Sequence, residues 1–523
     1  MGGDGSRAQG RKRFRKVVGF AWFNFKSARC QLNSGDSLVK KVIIVGAGMA
    51  GLSAGCYAQM GGLQTQIFEM HNVPGGQCTS WKRREFVFDG CIHHLAGCQP
   101  SSSLYSMWQE LGILPNRPII FPEHICRVED PSGKCFNVYR NLDQLKQHML
   151  ELFPEDSETI ESYIRSAMAF TEFDMLDTPL LKGARFVRRF LKLLTLMKWR
   201  VTMKTYAKKF KDPFLRKIFP TILYDSPETP MLAHLNIMGN SHTKNYGVPA
   251  GGSLEFSRAI EKRYRELGGI VTYNSQVSRI MVENNRAVGV RLEDGKEHRS
   301  DIVVSDIFAP TAIFSLLEGK YADGKIRKQF SKPVDERSMG IQVSLGVARD
   351  LSAEPRALVL YLQKPLRIAD KEHDRLDIEL FGYDPSMAPR GKSVVKVLLT
   401  TSYQFWKELR KQPEKYLEEK QRTSARVLEV LEKRFPGMAE QVEAVDVATP
   451  MTMERYTGVS QSYENNMGFG AMMRILKGQP RTLPGLAGFF MIGESAGVAG
   501  IPGCAASGRN FVGAICKTES SAH

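Results

Sequence analysis

Apolar residues first gather in an unbroken run at Lys41-Val42-Ile43-Ile44-Val45, which predicts a strand buried on both faces. Gly46-Ala47-Gly48-Met49-Ala50-Gly51 follows, then an apolar stretch of helical period to Met60, where Gly61 and Gly62 stop it. Gln64 to Phe68 predict a second strand, so the opening unit reads strand, glycine turn, helix, strand. Residues 101 to 245 carry mainly helical periodicity. From Gly251-Gly252-Ser253 the pattern turns mixed: a helix, a strand from Gly269 to Tyr273, and a hairpin at Asp294-Gly295. Alternation at Gly340 to Val347, Leu358 to Leu362 and Val394 to Leu399 predicts a sheet, followed by a charged helix near 413 to 434 and a last strand–turn–helix over 488 to 515.

These elements predict an α/β chain with a two-dinucleotide-binding, Rossmann-like unit assembled from three separated pieces and an inserted α+β substrate domain. The expected division is a flexible basic extension at 1–38, dinucleotide-binding pieces at 39–100, 246–320 and 456–523, a mainly helical substrate- or membrane-facing region at 101–245, and a mixed-sheet substrate domain at 321–455. The 523 residues exceed one ordinary domain of roughly 100 to 200 residues, in keeping with that division.

Charge alters the picture in one respect. Lys and Arg number 72 against 55 acids, a net charge of +17 that calls for an anionic partner. No zinc-finger spacing or aromatic–basic RNA-binding run is present, so nucleic acid is not expected. The basic residues concentrate at 7–41 and 182–217. In the second stretch Phe186, Phe190, Leu194, Met197 and Val201 recur at helical spacing, which predicts an amphipathic helix docking peripherally on an anionic membrane through residues 180–217. The nine cysteines include no C-x-x-C pair and no apolar run is long enough to span a bilayer; the expected setting is cytoplasmic, with peripheral membrane contact.

Candidate chemistry begins at the glycines. Gly46, Gly48 and Gly51 stand at G-x-G-x-x-G spacing between a strand and a helix, where they allow a tight turn, close approach of a pyrophosphate and close helix–sheet packing. Glu69, after the next strand, is placed for the hydroxyls of an adenosine ribose and disfavours a 2′-phosphate. Gly75-Gly76-Gln77-Cys78-Thr79-Ser80 makes a second glycine turn. Its residues resemble the G-G-R-x-x-[ST] turn of flavoproteins with two dinucleotide-binding motifs, with Gln77 where the arginine stands; the resemblance implies FAD as cofactor and places Gly75, Gly76, Gln77 and Ser80 at it.

Ile492-Gly493-Glu494-Ser495 and Ile501-Pro502-Gly503, with Thr449-Pro450, Glu454 to Gly458 and the stretch from Gly251 to Asp306, resemble the phytoene desaturase family of carotenoid desaturases, carotenoid isomerases and retinol saturases over residues 39 to 515. The resemblance implies an FAD-dependent oxidoreductase acting on carbon–carbon bonds of a long apolar isoprenoid-, carotenoid- or retinoid-like substrate, with an unidentified electron donor or acceptor. By the same resemblance Val277 contacts adenine, Glu494 the ribityl or pyrophosphate part of FAD, and Gly493 and Ile501 flank it. Two stretches depart from the family pattern, Gly497-Val498-Ala499-Gly500 and Ser462-Tyr463-Glu464-Asn465-Asn466 before Gly468. His93 and His94, just beyond the second glycine turn, are candidate proton donors, since an imidazole exchanges protons near neutral pH. A hydrogen-bonded core histidine explains the pair equally well. The rival functions are a flavin amine oxidase-like enzyme, which would want an aromatic pair beside the flavin, and a non-catalytic prenyl-lipid-binding escort protein.

Overall fold

The computed structural model describes residues 39–181, 183–222, 227–330, 339–459, 481–497 and 500–520. The extension at 1–38, Lys182, Ser462 to Gly468, Val498 and Ala499 lie outside the described residues. Lys41–Val45 forms β1, Met49–Met60 α1 and Gln64–Phe68 β2. Gly183–Leu196 forms α2, Gly252–Glu266 α3, Ile270–Thr272 β3, Ile302–Ser305 β4, Phe489–Met491 β5 and Gly500–Ser520 α4. The five strands make one parallel sheet in the order β3-β2-β1-β4-β5, so pieces far apart in sequence meet around β1. Ile43, Val45, Val42 and Ile44 are all buried, alternate residues packing against opposite faces, which is why the strand reads as a continuous apolar run. α1 carries Gly51, Ala54 and Ala58 against its neighbours, and α4 packs tightly along it: a Cβ on Gly508 would lie 2.5 Å from the Ala50 carbonyl oxygen.

A seven-stranded sheet forms the second unit, built on Met339–Val347, Ala357–Ile368, Lys371–Leu380, Ser393–Thr401 and Val442–Ala448. The region expected to be mainly helical adds a hairpin to this sheet: His124–Glu129 pairs in parallel with Ala357–Ile368, and Cys135–Tyr139 lies outside it. Most remaining helices of that region pack around Phe170, Phe173, Tyr206 and Phe219, while Ser103–Glu110 packs against the parallel sheet's core through Leu104, Met107 and Trp108.

The basic helix forms, with only part of the expected apolar stripe outward. Phe186, Phe190 and Met197 are half-buried and Leu193 and Leu196 buried. Leu194 and Val201 do face outward, 46% and 39% exposed, and Val187 and Leu191 join them at 54% and 57%, beside exposed Arg185, Arg188 and Lys192. Arg189 turns inward, donating to the Asp174 carbonyl at 2.6 Å and pairing with Asp177 at 3.0 Å. Among the described residues no helix is long and apolar enough to cross a membrane.

Candidate FAD site

The first glycine turn leaves β1 with Gly46 at φ 100°, a conformation that side chains resist. A Cβ on Gly51 would sit 2.2 Å from the Gly46 carbonyl oxygen, and one on Gly48 2.6 Å from Asp306 Oδ2, so both positions have no room for a side chain. At the end of β2, Glu69 is buried and accepts from the Ala47 amide at 2.7 Å and the His71 amide at 2.8 Å. Burial pushes its carboxyl up, and these amides partly offset that. The second glycine turn is fastened to the first: the Gly75 amide donates to the Ala47 carbonyl at 2.8 Å.

Between these turns and α4 lies a cavity of about 260 Å³. Gly46, Gly48, Glu69, Gly75, Gly76 and Gln77 line one side, with Val277, Glu494 and Ile501 also on its wall. Three expected residues stand behind that wall. The Gly51 amide donates to Asp306 Oδ2 at 2.6 Å, Ser80 Oγ accepts from the Leu254 amide in the first turn of α3, and the Gly493 amide donates to Ser507 Oγ at 3.1 Å.

Sequence reasoning missed Asp306, which follows β4 and is wedged between Gly48, Gly51 and Gly493. Burial raises its carboxyl well above the ordinary range, against the Gly51 amide, and Glu494 and Glu69 add to the rise. The one hint was an acid directly after a buried strand. Gln77 Nε2 donates to Glu494 Oε2 at 3.2 Å, so a neutral amide meets this carboxylate where the resembling turn offers a guanidinium. Among the described residues lining the cavity there is no Lys or Arg. A pyrophosphate there would be held by the amides and positive ends of α1 and α4. Glycines too crowded for a Cβ, a buried acid at the end of β2 and the lack of a cation among the described lining residues all fit FAD.

The histidines lie just beyond Cys91, which lines the cavity. His93 Nδ1 is 2.6 Å from Glu379 Oε1, on the strand Lys371–Leu380. Its backbone oxygen accepts from Arg356. His94 stacks on Tyr246, ring centroids 5.3 Å apart. The His94 side chain keeps open surface among closely packed neighbours. Burial, then His93 and Arg356, push its pKa down to about 3, leaving it neutral at pH 7.

A parallel sheet opening on a G-x-G-x-x-G turn, a second glycine turn fastened to it, a buried acid at the end of β2 and the start of α4 at the same cavity define an FAD-dependent oxidoreductase with two dinucleotide-binding motifs. Residues 44–111 match the model of the NAD(P)-binding Rossmann-like domain. The chain is 23% identical over 507 residues to prolycopene isomerase of Arabidopsis thaliana, covering 94% of this chain and 84% of the relative. It is 23% identical over 501 residues to the lycopene-forming phytoene desaturase of Pseudescherichia vulneris, covering 90% of this chain and 98% of that one. An oxidoreductase structure from Methanosarcina mazei shares the fold at a TM-score of 0.58 and 18% identity, covering 91% of this chain and all of that one. The resemblance to the phytoene desaturase family thus extends over most of the chain.

Proposed function

We propose that this chain uses FAD to move a hydride to or from a carbon of a long apolar isoprenoid, of carotenoid or retinoid type, with desaturation, saturation or isomerisation of a carbon–carbon bond as the outcome. The observation that carries this reading is the position of His93, two residues beyond Cys91 on the wall of the cofactor cavity, with its ring partly exposed. The names of the relatives supply the substrate class. Bound flavin supplies two-electron chemistry at its N5 position. The chain's own residues hold the dinucleotide through Gly46, Gly48, Gly75, Gly76 and Glu69, with Gly51 and Gly493 packing the turns, Ser80 fixing α3, and Gln77, Val277, Glu494 and Ile501 around the remaining wall. His93 is the proton-exchanging group; His94, neutral, stacks on Tyr246 beside it.

Substrate reaches this site from a membrane. The stripe Val187, Leu191 and Leu194 with Arg185, Arg188 and Lys192 supports docking of α2 on an anionic bilayer. The turn before it, Met175–Leu180, packs against α4, whose first residues line the cofactor cavity. The test is product analysis after incubating the holoenzyme with carotenoid precursors and retinoids carried in anionic liposomes. One trial adds an electron acceptor, one a reductant, and one neither after pre-reduction of the flavin. Conversion in one of the three fixes the direction; no conversion of any isoprenoid contradicts the reading.

A further inference from the structure

Glu379 is almost completely buried, 2% exposed, in a strand whose other charged residues are exposed or half-buried. It is enclosed by cations: Lys396, its cross-strand partner and 1% exposed, contacts Oε2, and Arg356 lies 3.7 Å from Oε1. Burial alone would raise its carboxyl, but Lys396, His93 and Arg356 together hold it well below the ordinary range, so it is a carboxylate. Asp89 and Tyr383 also face this cluster, and His94 lies beside it.

A carboxylate oxygen 2.6 Å from His93 Nδ1 requires the proton of that bond on Nδ1, because the oxygen has none to give. Ring orientation and tautomer are thereby fixed together, and proton exchange with any other group falls to Nε2. Lys396 and Arg356 keep the carboxylate from swinging away. The ring keeps 41% of its side-chain surface and follows, two residues on, from Cys91 on the wall of the cofactor cavity.

We propose that Glu379 is the positioning residue of a proton-transfer dyad, holding His93 so that Nε2 exchanges a proton with the substrate carbon next to the one that exchanges hydride. This rests on the functional reading above. In saturation, hydride from reduced flavin and the Nε2 proton add across one double bond, the flavin is oxidised, and water reprotonates Nε2. In desaturation the same bonds break in reverse, the hydride going to oxidised flavin and the proton to Nε2. General acid–base catalysis of this kind contributes roughly 10²- to 10⁴-fold.

The test combines two readouts on holoenzyme whose visible spectrum shows bound flavin. Histidine ¹⁵N NMR of wild type is expected to show a His93 proton held on Nδ1 by Glu379; in Glu379→Gln that preference is lost. A Glu379→Asp variant restores it, and the Glu379→Gln, Lys396→Met pair provides a folded control without an orphaned ammonium. Turnover on any isoprenoid that wild type converts is expected to fall by about 10² or more in His93→Gln, with flavin retention unchanged. An identical His93 tautomer preference in wild type and Glu379→Gln would overturn the dyad, as would His93→Gln turnover within about threefold of wild type. If wild type converts no isoprenoid, the functional reading fails by itself, and the NMR result still decides the dyad.

Discussion

Replacing Glu69 by Ala separates cofactor recognition from folding. The carboxylate is 7% exposed and accepts from two backbone amides, Ala47 at 2.7 Å and His71 at 2.8 Å. Removing it strands the buried Ala47 amide, a cost of about 1–3 kcal/mol to the apoprotein. Part of that is returned, because burial already disfavours the charged side chain. The ribose of FAD also loses a charge-assisted partner, worth roughly 1.5–3 kcal/mol, which corresponds to a rise in Kd of about 10- to 150-fold. The apoprotein should therefore melt close to wild type, while the added stability from saturating FAD is mostly lost. Titration of apoprotein with FAD, followed by flavin fluorescence, measures the first quantity and thermal melts with and without FAD the second. FMN, which has no adenosine ribose, serves as the comparison ligand. An FAD affinity within about twofold of wild type, or an equal loss for FMN and FAD, would refute the placement of the adenosine.

Three further expectations follow from named contacts. Gly51→Ala puts a Cβ 2.2 Å from the Gly46 carbonyl oxygen, so the fingerprint turn must shift; a loss of about 3 kcal/mol in stability and little retained flavin are expected from melting and the flavin-to-protein ratio. Changing Arg185, Arg188, Lys192 and Lys198 to Glu should abolish salt-sensitive co-sedimentation with anionic liposomes, since each cation contributes about 1 kcal/mol; binding equal to wild type would return α2 to ordinary surface. Asp177 has its pKa pushed up to about 7 by burial, against Arg189 and with Asp174 adding to the rise. The folded chain thus keeps this proton to higher pH than the unfolded chain, so the stability it contributes is lost as pH rises from about 4 to 7. Urea unfolding of wild type relative to D177N should show the gap moving against wild type by about 1.4 kcal/mol per pH unit in that window and levelling above it; a flat difference would refute the assignment.

Residues 41 to 90 were readable because their chemistry is local. The run Val42 to Val45, the glycine spacing and Glu69 each act within one strand–turn–helix unit. The strand Lys371–Leu380 escaped notice because Lys371, Glu372, Asp374, Arg375, Asp377 and Glu379 mask the alternation that buries His373, Leu376, Ile378 and Leu380. With it went Glu379, whose meaning depends on His93, 286 positions away, and on Lys396 in the adjoining strand. In α2 the periodicity was plain but its direction was not. Phe186 and Phe190 compete with Val187 and Leu191 for the inward face, and only the packing of Leu193 and Leu196 against the helical core decides it. Asp306 had no motif of its own: its role comes from lying under glycines some 255 positions earlier.

The central claim is tested most directly by anaerobic rapid mixing of the oxidised and the pre-reduced holoenzyme with single carotenoid precursors and retinoids, following the visible absorption of the flavin. Bleaching of oxidised enzyme, or recolouring of reduced enzyme, in step with formation of one isoprenoid product identifies direct electron exchange. For an isomerisation, product forms only with pre-reduced enzyme while the flavin ends reduced. Flavin present in stoichiometric amount, with neither colour change nor product across the panel, would contradict an isoprenoid oxidoreductase and leave the FAD cradle serving another chemistry.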